Sequence, residues 1–316
     1  MKFVTATTAI AAVMLLAGCN NRQMQSATLP SAGETTAHAP QNFEGQEAIL
    51  PQHLFVTDFT NKAIEILSND KWKKVGTIIN GVGHPWGDWV DGSGNFYITS
   101  ATQTGKHTIV EYKLPATKPD FTYSAHMTSP VSVTTDSHGN VYEADFSGHF
   151  VNEYAQKKNA VVATCSLDSG DLVTGVAVNH EGTVFIDYTT NQYYGRVVRY
   201  KGGLSGCHGQ TLPPKFKYPY GMAIDAQGAL LVCDVTANKV FVLKAPFDKI
   251  AGTFGIFYKQ PIHVTINKAN RQAYVTQAGL SVRVMGYPRA KPLATLDASK
   301  GLKSPYGAVD GENFVP

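Results

Sequence analysis

The sequence of 316 residues has few charged side chains and only four cysteines. Asp, Glu, Lys and Arg make up 16% of the chain, and the formal net charge is +3. We find no basic stripe and no alternation of basic and aromatic residues, so we expect no nucleic-acid partner. Nucleophile elbows, phosphate loops and Cys-x-x-Cys spacings are also missing from the sequence. Their absence argues against the common serine-hydrolase, nucleotide and zinc sites.

Long apolar runs are missing as well. The apolar run from Ala9 to Ala17 follows a charged start at Lys2. It is too short for a stable transmembrane helix but has the form of a secretory signal. It ends in Leu-Leu-Ala-Gly-Cys at 15–19, which resembles the lipobox of bacterial lipoproteins. That resemblance implies cleavage before Cys19 and lipid attachment to it, whereas the alternative is a plain secretory signal with an incidental cysteine.

These features divide the chain into three parts. Residues 1–18 are the predicted lipoprotein signal peptide. Residues 19–48 are rich in Ser, Thr, Ala, Gln and Pro, a composition typical of a flexible tether. Residues 49–316 form the predicted folded domain. We expect an exported monomer that is held on a membrane of the cell envelope through Cys19, facing the periplasm or in the outer membrane if the cell is Gram-negative.

A repeat with a period near 45 residues organises the folded domain. Its prolines are separated by 45, 89, 42 and 44 residues, and a copy without proline fills the double interval; the six copies begin at Pro85, Pro130, Val173, Pro219, Pro261 and Pro305. Each copy continues with a short apolar strand, a polar turn and a second apolar strand. Several short strands per unit at this period are typical of a β-propeller blade.

The last copy is incomplete, and its missing part lies at the other end of the domain. Residues 54–64 match residues 230–240 position for position in apolar and polar character. We therefore predict an all-β fold, a six-bladed β-propeller of the NHL/TolB-like type. Its N-terminal strands complete the blade that the C-terminus begins. Such closure leaves no free sheet edge.

The repeat pattern also carries a family resemblance. Residues 219–240 read Pro-x-Gly, then Asp-x-x-Gly, then Val-x-Asp-x-x-x-Asn-Lys-Val, which resembles NHL-type repeats. The pattern is similar to the propellers of streptogramin lyase and of the regucalcin/gluconolactonase family. The resemblance covers nearly all of residues 54–312 and implies the fold. These families include lactone hydrolases, a magnesium-dependent lyase and binding scaffolds, so the fold leaves the activity open.

One departure from the family bears on metal binding. The gluconolactonase group places a cation-binding Asn directly after the repeat's proline. Here that position holds Trp86, Val131, Thr174, Tyr220, Ile262 and Tyr306. The departure argues against a metal-dependent lactonase. If a divalent cation such as Ca²⁺ or Mg²⁺ is bound, its weak ligand candidates are Asp88, Glu143 and Asp187.

Other departures mark a candidate ligand site at the channel mouth. Asp88 is the one charged residue at the third position after the proline, and a carboxylate on an inner strand needs a partner or a function. The alternative is a structural Asp bonded to the backbone or to His84. The further candidates for the mouth are Trp86, Tyr220, His263 and Tyr306. Aromatic rings with a few polar groups suit a small organic or sugar-like ligand, although the rings could also only plug the channel.

The remaining Asp and Cys residues favour structural roles. Asp58, Asp145 and Asp234 end equivalent strands, and we interpret them as acceptors for backbone N–H groups in the following bend. Cys233 lies in an apolar strand and is predicted to be a buried thiol. Cys165 and Cys207 occupy comparable outer positions of successive blades. A disulfide between them stays open, since it requires α-carbons within roughly 7 Å.

Two functions from different classes remain. The first is a lipid-anchored binding or scaffold propeller that takes a small ligand or a protein partner at its channel mouth. It is favoured by the lipobox, the tether and the missing asparagine. The second is an enzyme, a metal-assisted lactone hydrolase or C–O lyase of the gluconolactonase or streptogramin lyase type.

Overall fold

The computed structural model describes residues 53–101, 105–192, 194–255 and 259–311. The predicted signal peptide, the predicted tether and the predicted lipidation site Cys19 lie outside these residues. Among the described residues, no helix is long and apolar enough to cross a membrane.

The described chain consists almost entirely of short β-strands. In chain order they are β1 (His53–Asp58), β2 (Ala63–Ser68), β3 (Lys74–Ile78), β4 (His84–Val90), β5 (Asn95–Ala101), β6 (His107–Lys113), β7 (Phe121–Tyr123), β8 (Pro130–Thr135), β9 (Val141–Asp145), β10 (Phe150–Tyr154), β11 (Val161–Ser166), β12 (Leu172–Val178), β13 (Val184–Thr189), β14 (Gly195–Tyr200), β15 (Gly209–Thr211), β16 (Pro219–Ile224), β17 (Leu230–Asp234), β18 (Lys239–Leu243), β19 (Ile250–Phe254), β20 (Pro261–Ile266), β21 (Gln272–Gln277), β22 (Ser281–Gly286), β23 (Lys291–Leu296) and β24 (Pro305–Asp310). Two short 3₁₀ turns, Ser205–Cys207 and Ala298–Lys300, interrupt the connections.

The strands form six four-stranded antiparallel sheets, which are the six predicted blades. Blades one to five are β4–β7, β8–β11, β12–β15, β16–β19 and β20–β23, and the closing blade is β24 followed by β1–β3. The first strand of each blade is its inner strand, and each inner strand contacts the inner strands of both neighbouring blades. Five inner strands begin at or next to the predicted repeat starts, and β12 begins one residue before Val173. The six-bladed fold is therefore confirmed.

The closing blade joins the two ends of the domain. Strand β1 pairs with β24 on one edge and with β2 on the other. Leu54 faces Asp310 in the ladder, and the amide of Gly311 donates to the carbonyl of His53 at 2.8 Å. The predicted completion of the C-terminal blade by N-terminal strands is confirmed, and it removes the open edge that a linear array of blades would leave.

Three buried aspartates stabilise one face of the propeller. This is the face at which the inner strands begin, and we call it the mouth face. The Asp58 carboxylate accepts from the amides of Asn61, Lys303 and Ser304. Asp145 accepts equivalent hydrogen bonds from the amides of Thr128, Ser129 and Gly148. Asp234 accepts them from the amides of Lys217, Tyr218 and Ala237. The predicted role in the following bend is confirmed. Each carboxylate also binds the segment that leads into the inner strand, which the sequence did not reveal.

The opposite face is built from tight turns between inner and second strands. Asp91 accepts from the amides of Ser93 and Asn95, and Asp225 accepts from those of Gln227 and Ala229. Side-chain oxygens of Asp and Asn stabilise turns in this way because they replace a missing backbone acceptor. These turns fix where each second strand starts.

The core lies between neighbouring blades, where the two faces of each sheet are covered. Between the closing blade and blade one, for example, Phe55, Ile64, Phe96 and Tyr112 pack together, and all four are 0% exposed. Burial of such side chains stabilises by about 1.5–3 kcal/mol each. The inner strands are thus held by packing on both sides.

The cysteines of the described residues take two roles. Cys165 on β11 and Cys207 in a turn of blade three form a disulfide, with α-carbons 5.3 Å apart. The bridge links blades two and three at their outer edge. Cys233 is a free, buried thiol, as predicted.

Candidate functional site: the channel mouth

A β-bulge follows the first positions of every inner strand. In blade two, Pro130 pairs with Asp145 and Ser132 pairs with Ala144, so Val131 is left without a partner in the ladder. The same register shift occurs in the other five blades. Bulges re-aim side chains at the rims of barrels and next to binding sites. Here they place the residue after each repeat start at the mouth of the central channel.

Two of the aromatic residues at this position, Trp86 and Tyr306, form a cluster at the mouth together with Phe59. Trp86 and Tyr306 are in edge contact with ring centroids 4.4 Å apart, and Phe59 lies 5.5 Å and 5.4 Å from them. We call these three residues the mouth cluster. Trp86 is 8% exposed and Tyr306 4%. The rings therefore fill the part of the channel mouth that lies at the closing blade and blade one. This corresponds to the alternative in which the aromatic rings plug the channel.

Tyr220 reaches the mouth from blade four. It stacks on Tyr218 with ring centroids 6.4 Å apart and is 9% exposed. Burial raises its pKa well above the ordinary value, and Tyr218, Tyr306 and Asp187 add to the rise. Burial also raises the pKa of Tyr306, to about 12, so both phenols stay neutral near pH 7.

Asp88 and His263 meet inside the channel wall. His263 Nε2 lies 3.6 Å from Asp88 Oδ1, although the two residues belong to blades one and five. Gly307 of the closing blade lies beside Asp88, and a methyl group at Gly307 would be 2.7 Å from the Asp88 carboxyl. The absence of a side chain at Gly307 leaves the room for this carboxyl. His84, the partner considered from the sequence, instead contacts the carbonyl of Phe59 through Nδ1 at 3.3 Å.

The Asp88–His263 pair is buried, and its surroundings favour the uncharged form of both side chains. Asp88 is 0% exposed, and neither of its carboxyl oxygens has a hydrogen bond of good geometry among the described residues. Burial raises the pKa of Asp88 well above its usual range, against a smaller opposing effect of the Thr57 backbone. Burial lowers the pKa of His263 to about 4. The Ala308 amide approaches His263 Nδ1 at 3.5 Å, which leaves Nε2 as the protonated nitrogen facing Asp88.

Asp187 is a second buried acid near the mouth. It lies on β13 and pairs with Gly175. In the closing blade the equivalent position is held by Thr57, which pairs with Gly307. The Thr174 hydroxyl donates to Asp187 Oδ1 at 2.6 Å. Burial is the largest effect on Asp187 and raises its pKa to about 7. This carboxyl therefore titrates in the physiological range.

Glu143 lies apart from both of these acids. It is 0% exposed on β9, and Asn152 donates to its Oε2 at 3.0 Å. Burial raises its pKa well above the ordinary value, and the neighbouring Asp145 adds to this rise. Within the part of the chain that the structure describes, no group of three His, Cys, Asp or Glu side chains has metal-binding geometry. Asp88, Glu143 and Asp187 lie on three different blades.

Replacing Asp187 by Asn should change the pH dependence of stability. A buried acid with a raised pKa binds its proton more tightly in the folded protein, so wild-type stability falls as pH rises from about 4 to about 7. The variant lacks this loss. Its advantage over wild type should grow across that window to about 2–4 kcal/mol. Urea unfolding at pH 5 and pH 8 measures the difference, with exposed Asp168→Asn as the control. Parallel wild-type and variant profiles would contradict the expectation.

The sequence pointed to five candidate residues for the mouth, Trp86, Asp88, Tyr220, His263 and Tyr306, but not to Phe59. It follows Asp58 in the bend after β1, and its amide donates to the Ser304 carbonyl at 2.9 Å. Phe146 and Val235 follow Asp145 and Asp234 in the same way, and both are buried. The signal was an apolar residue directly after each strand-ending Asp, which fills the mouth face beside the channel.

No protein-family model and no curated protein matches the sequence. Solved structures do resemble the fold. A chain in the crystal structure of a nidogen/laminin complex has a TM-score of 0.64 at 15% identity, covering 81% of this chain and 97% of that chain. A protein of unknown function from Bacteroides caccae has a TM-score of 0.62 at 15% identity, covering 82% and 98%. A functionally unknown protein from Desulfotomaculum acetoxidans has a TM-score of 0.54 at 15% identity, covering 77% and 78%. At this identity the likeness concerns the fold alone.

Proposed function

We propose that this chain is an exported, lipid-anchored β-propeller that binds a small ligand or a protein partner on its mouth face. The observation that carries the proposal is the filled mouth. All six residues that follow the repeat starts are at most 9% exposed, and three of them are aromatic. A ligand would therefore meet a floor of rings and the loops around it. The lipobox at 15–19 and the polar tether support the anchored location.

The burial of the acids also favours binding over catalysis. Asp88 lies 3.6 Å from His263, yet it is 0% exposed. A general acid or base must reach the reacting proton within about 3 Å or through one water. A substrate could touch Asp88 only if the packing around it opened. The resemblance to NHL-type repeats is compatible with this binding role.

A lactone hydrolase or C–O lyase is the second candidate function. It is favoured by the Asp88–His263 pair, because a proton could pass between His263 Nε2 and Asp88 Oδ1, which lie 3.6 Å apart. In this alternative a divalent cation would assist, with Asp88, Glu143 or Asp187 among its ligands.

A thermal-shift scan with Ca²⁺, Mg²⁺, Mn²⁺ and Zn²⁺, combined with a lactone turnover assay, tests the proposal. We expect no turnover and no rise of the melting midpoint, because a cation that binds only the folded state would raise it by mass action. Cation-dependent turnover that Asp88→Asn abolishes would overturn the binding function in favour of the enzyme. Palmitate labelling of cells with wild type and with Cys19→Ser checks the anchor, and equal labelling would contradict it.

A further inference from the structure

The buried carboxylates make the surface more basic than the net charge of +3 suggests. Of the 24 Asp and Glu residues, 20 lie in the part of the chain that the structure describes, and twelve of these 20 are buried: Asp58, Glu65, Asp88, Asp91, Glu111, Glu143, Asp145, Asp171, Asp187, Asp225, Asp234 and Asp310. Among the described residues, no lysine or arginine is buried. Burial raises the pKa values of Asp88 and Glu143 well above the ordinary range, which favours the uncharged forms of these two acids. A partner therefore meets a surface rich in cations.

The connections and strand ends of the mouth face carry lysines from several blades. The eight lysines are Lys62, Lys106, Lys215, Lys217, Lys239, Lys259, Lys300 and Lys303, all exposed or half-exposed. Few acids of the same described connections and strand ends reach the surface. Asp58, Asp145, Asp171 and Asp234 are buried, so the acids at the surface of this face are Asp168 and Asp297. Lysines thus outnumber surface acids on the mouth face, from blade four through the closing blade to blade one.

Large apolar side chains stand among these lysines. Ile79 is 51% exposed, Tyr194 56% and Leu280 51%, and each lies in a connection of the mouth face. The other large exposed apolar side chains of the described residues lie on the outermost strands: Val75, Val162, Ile250 and Leu293. Apolar contacts surrounded by charged groups are typical of protein–protein interfaces.

We propose that the mouth face docks an acidic surface of a protein partner, which names the partner of the binding function proposed above. Charge complementarity carries this proposal. The cations in the connections of this face are lysines, which lack the planar fork with which arginine grips phosphate. The guanidinium of Arg196, at the start of β14, lies 5.9 Å from the centroid of the Tyr194 ring. A face dominated by lysine disfavours nucleic acid. Exposed Ile79, Tyr194 and Leu280 offer apolar contacts that a hydrophilic polysaccharide cannot use.

Binding to acidic polypeptides tests the proposal with the full-length lipoprotein in neutral detergent. The probes are polyglutamate and a random copolymer of glutamate and tyrosine. We expect the copolymer to bind more tightly at equal charge. Lys215→Glu/Lys217→Glu/Lys303→Glu should weaken its binding about tenfold. The control Lys201→Glu/Lys244→Glu/Lys249→Glu makes the same charge change at exposed positions on the opposite face and should weaken binding less than threefold.

The apolar contacts have their own variant. Ile79→Ser/Leu280→Ser should remove the preference for the copolymer over polyglutamate while leaving the melting midpoint unchanged, because both side chains are exposed.

Several outcomes would overturn the proposal. One is an equal loss of copolymer affinity in the two triple-lysine variants. Another is a preference for the copolymer that Ile79→Ser/Leu280→Ser leaves unchanged. A third is tighter binding to dextran sulfate, or to vesicles of phosphatidylglycerol and phosphatidylcholine, than to the copolymer. These results leave the cation and lactone assays unaffected, so a failure of the acidic partner is distinguishable from a failure of the binding function.

Discussion

Asp58→Ala should lower the free energy of unfolding by about 3–5 kcal/mol, because three backbone amides lose a carboxylate acceptor together. Two of these amides belong to Lys303 and Ser304, which lead into β24, and the third belongs to Asn61 after β1. The substitution therefore loosens the one blade that both ends of the domain build. Urea unfolding measures the loss.

The control for Asp58 is Asp70→Ala, which removes a carboxylate from the exposed turn after β2 and should cost less than about 0.5 kcal/mol. Asp58→Asn retains one acceptor oxygen and should fall between the two. A loss below about 1 kcal/mol for Asp58→Ala would show that the bends hold without the carboxylate.

Gly221→Ala should destabilise the protein by about 3–5 kcal/mol through two effects that act together. Gly221 has a φ of +82°, which disfavours any side chain, and an added methyl group would lie 2.4 Å from the carbonyl oxygen of Ile262. That oxygen belongs to the backbone of blade five, so it cannot move without shifting an inner strand. The substitution should spread blades four and five apart at the mouth.

Gly228→Ala separates the two effects. Gly228 has a φ of +75°, but an added methyl group there meets no atom within 4 Å. It should cost only about 1–2 kcal/mol, which is the backbone penalty alone. Equal losses at Gly221 and Gly228 in urea unfolding would contradict the steric account.

The fold could be predicted because its repeat is local. A proline, a polar turn and two apolar strands recur within each stretch of about 45 residues, and each copy needs neighbours to bury its faces. Even the closure was readable, since the residues around Leu54 match those around Leu230. The sequence did not reveal that Asp58, Asp145 and Asp234 also bind the segment before the inner strand. Those amides belong to residues 16 to 246 positions away.

The candidate site was only partly predictable. Asp88 stood out as a charge where the repeat has apolar residues, but its neighbour His263 comes from a blade two positions away around the ring. That contact depends on Gly307, whose missing side chain no local pattern marks. The basic mouth face was hidden for a different reason. A buried turn-building Asp and an exposed Asp look alike in sequence, so the imbalance of surface charge appears only when burial is known.

The shared closing blade also sets an order on folding. Strand β1 lacks its inner partner until β24, about 250 residues later, is available. Blades one to five can form as the chain emerges, whereas the ring stays open until the final strand has left the ribosome. Until then β1 presents an unpaired edge. A chain that is truncated before Pro305 should therefore be a substrate for proteases and chaperones rather than a smaller propeller.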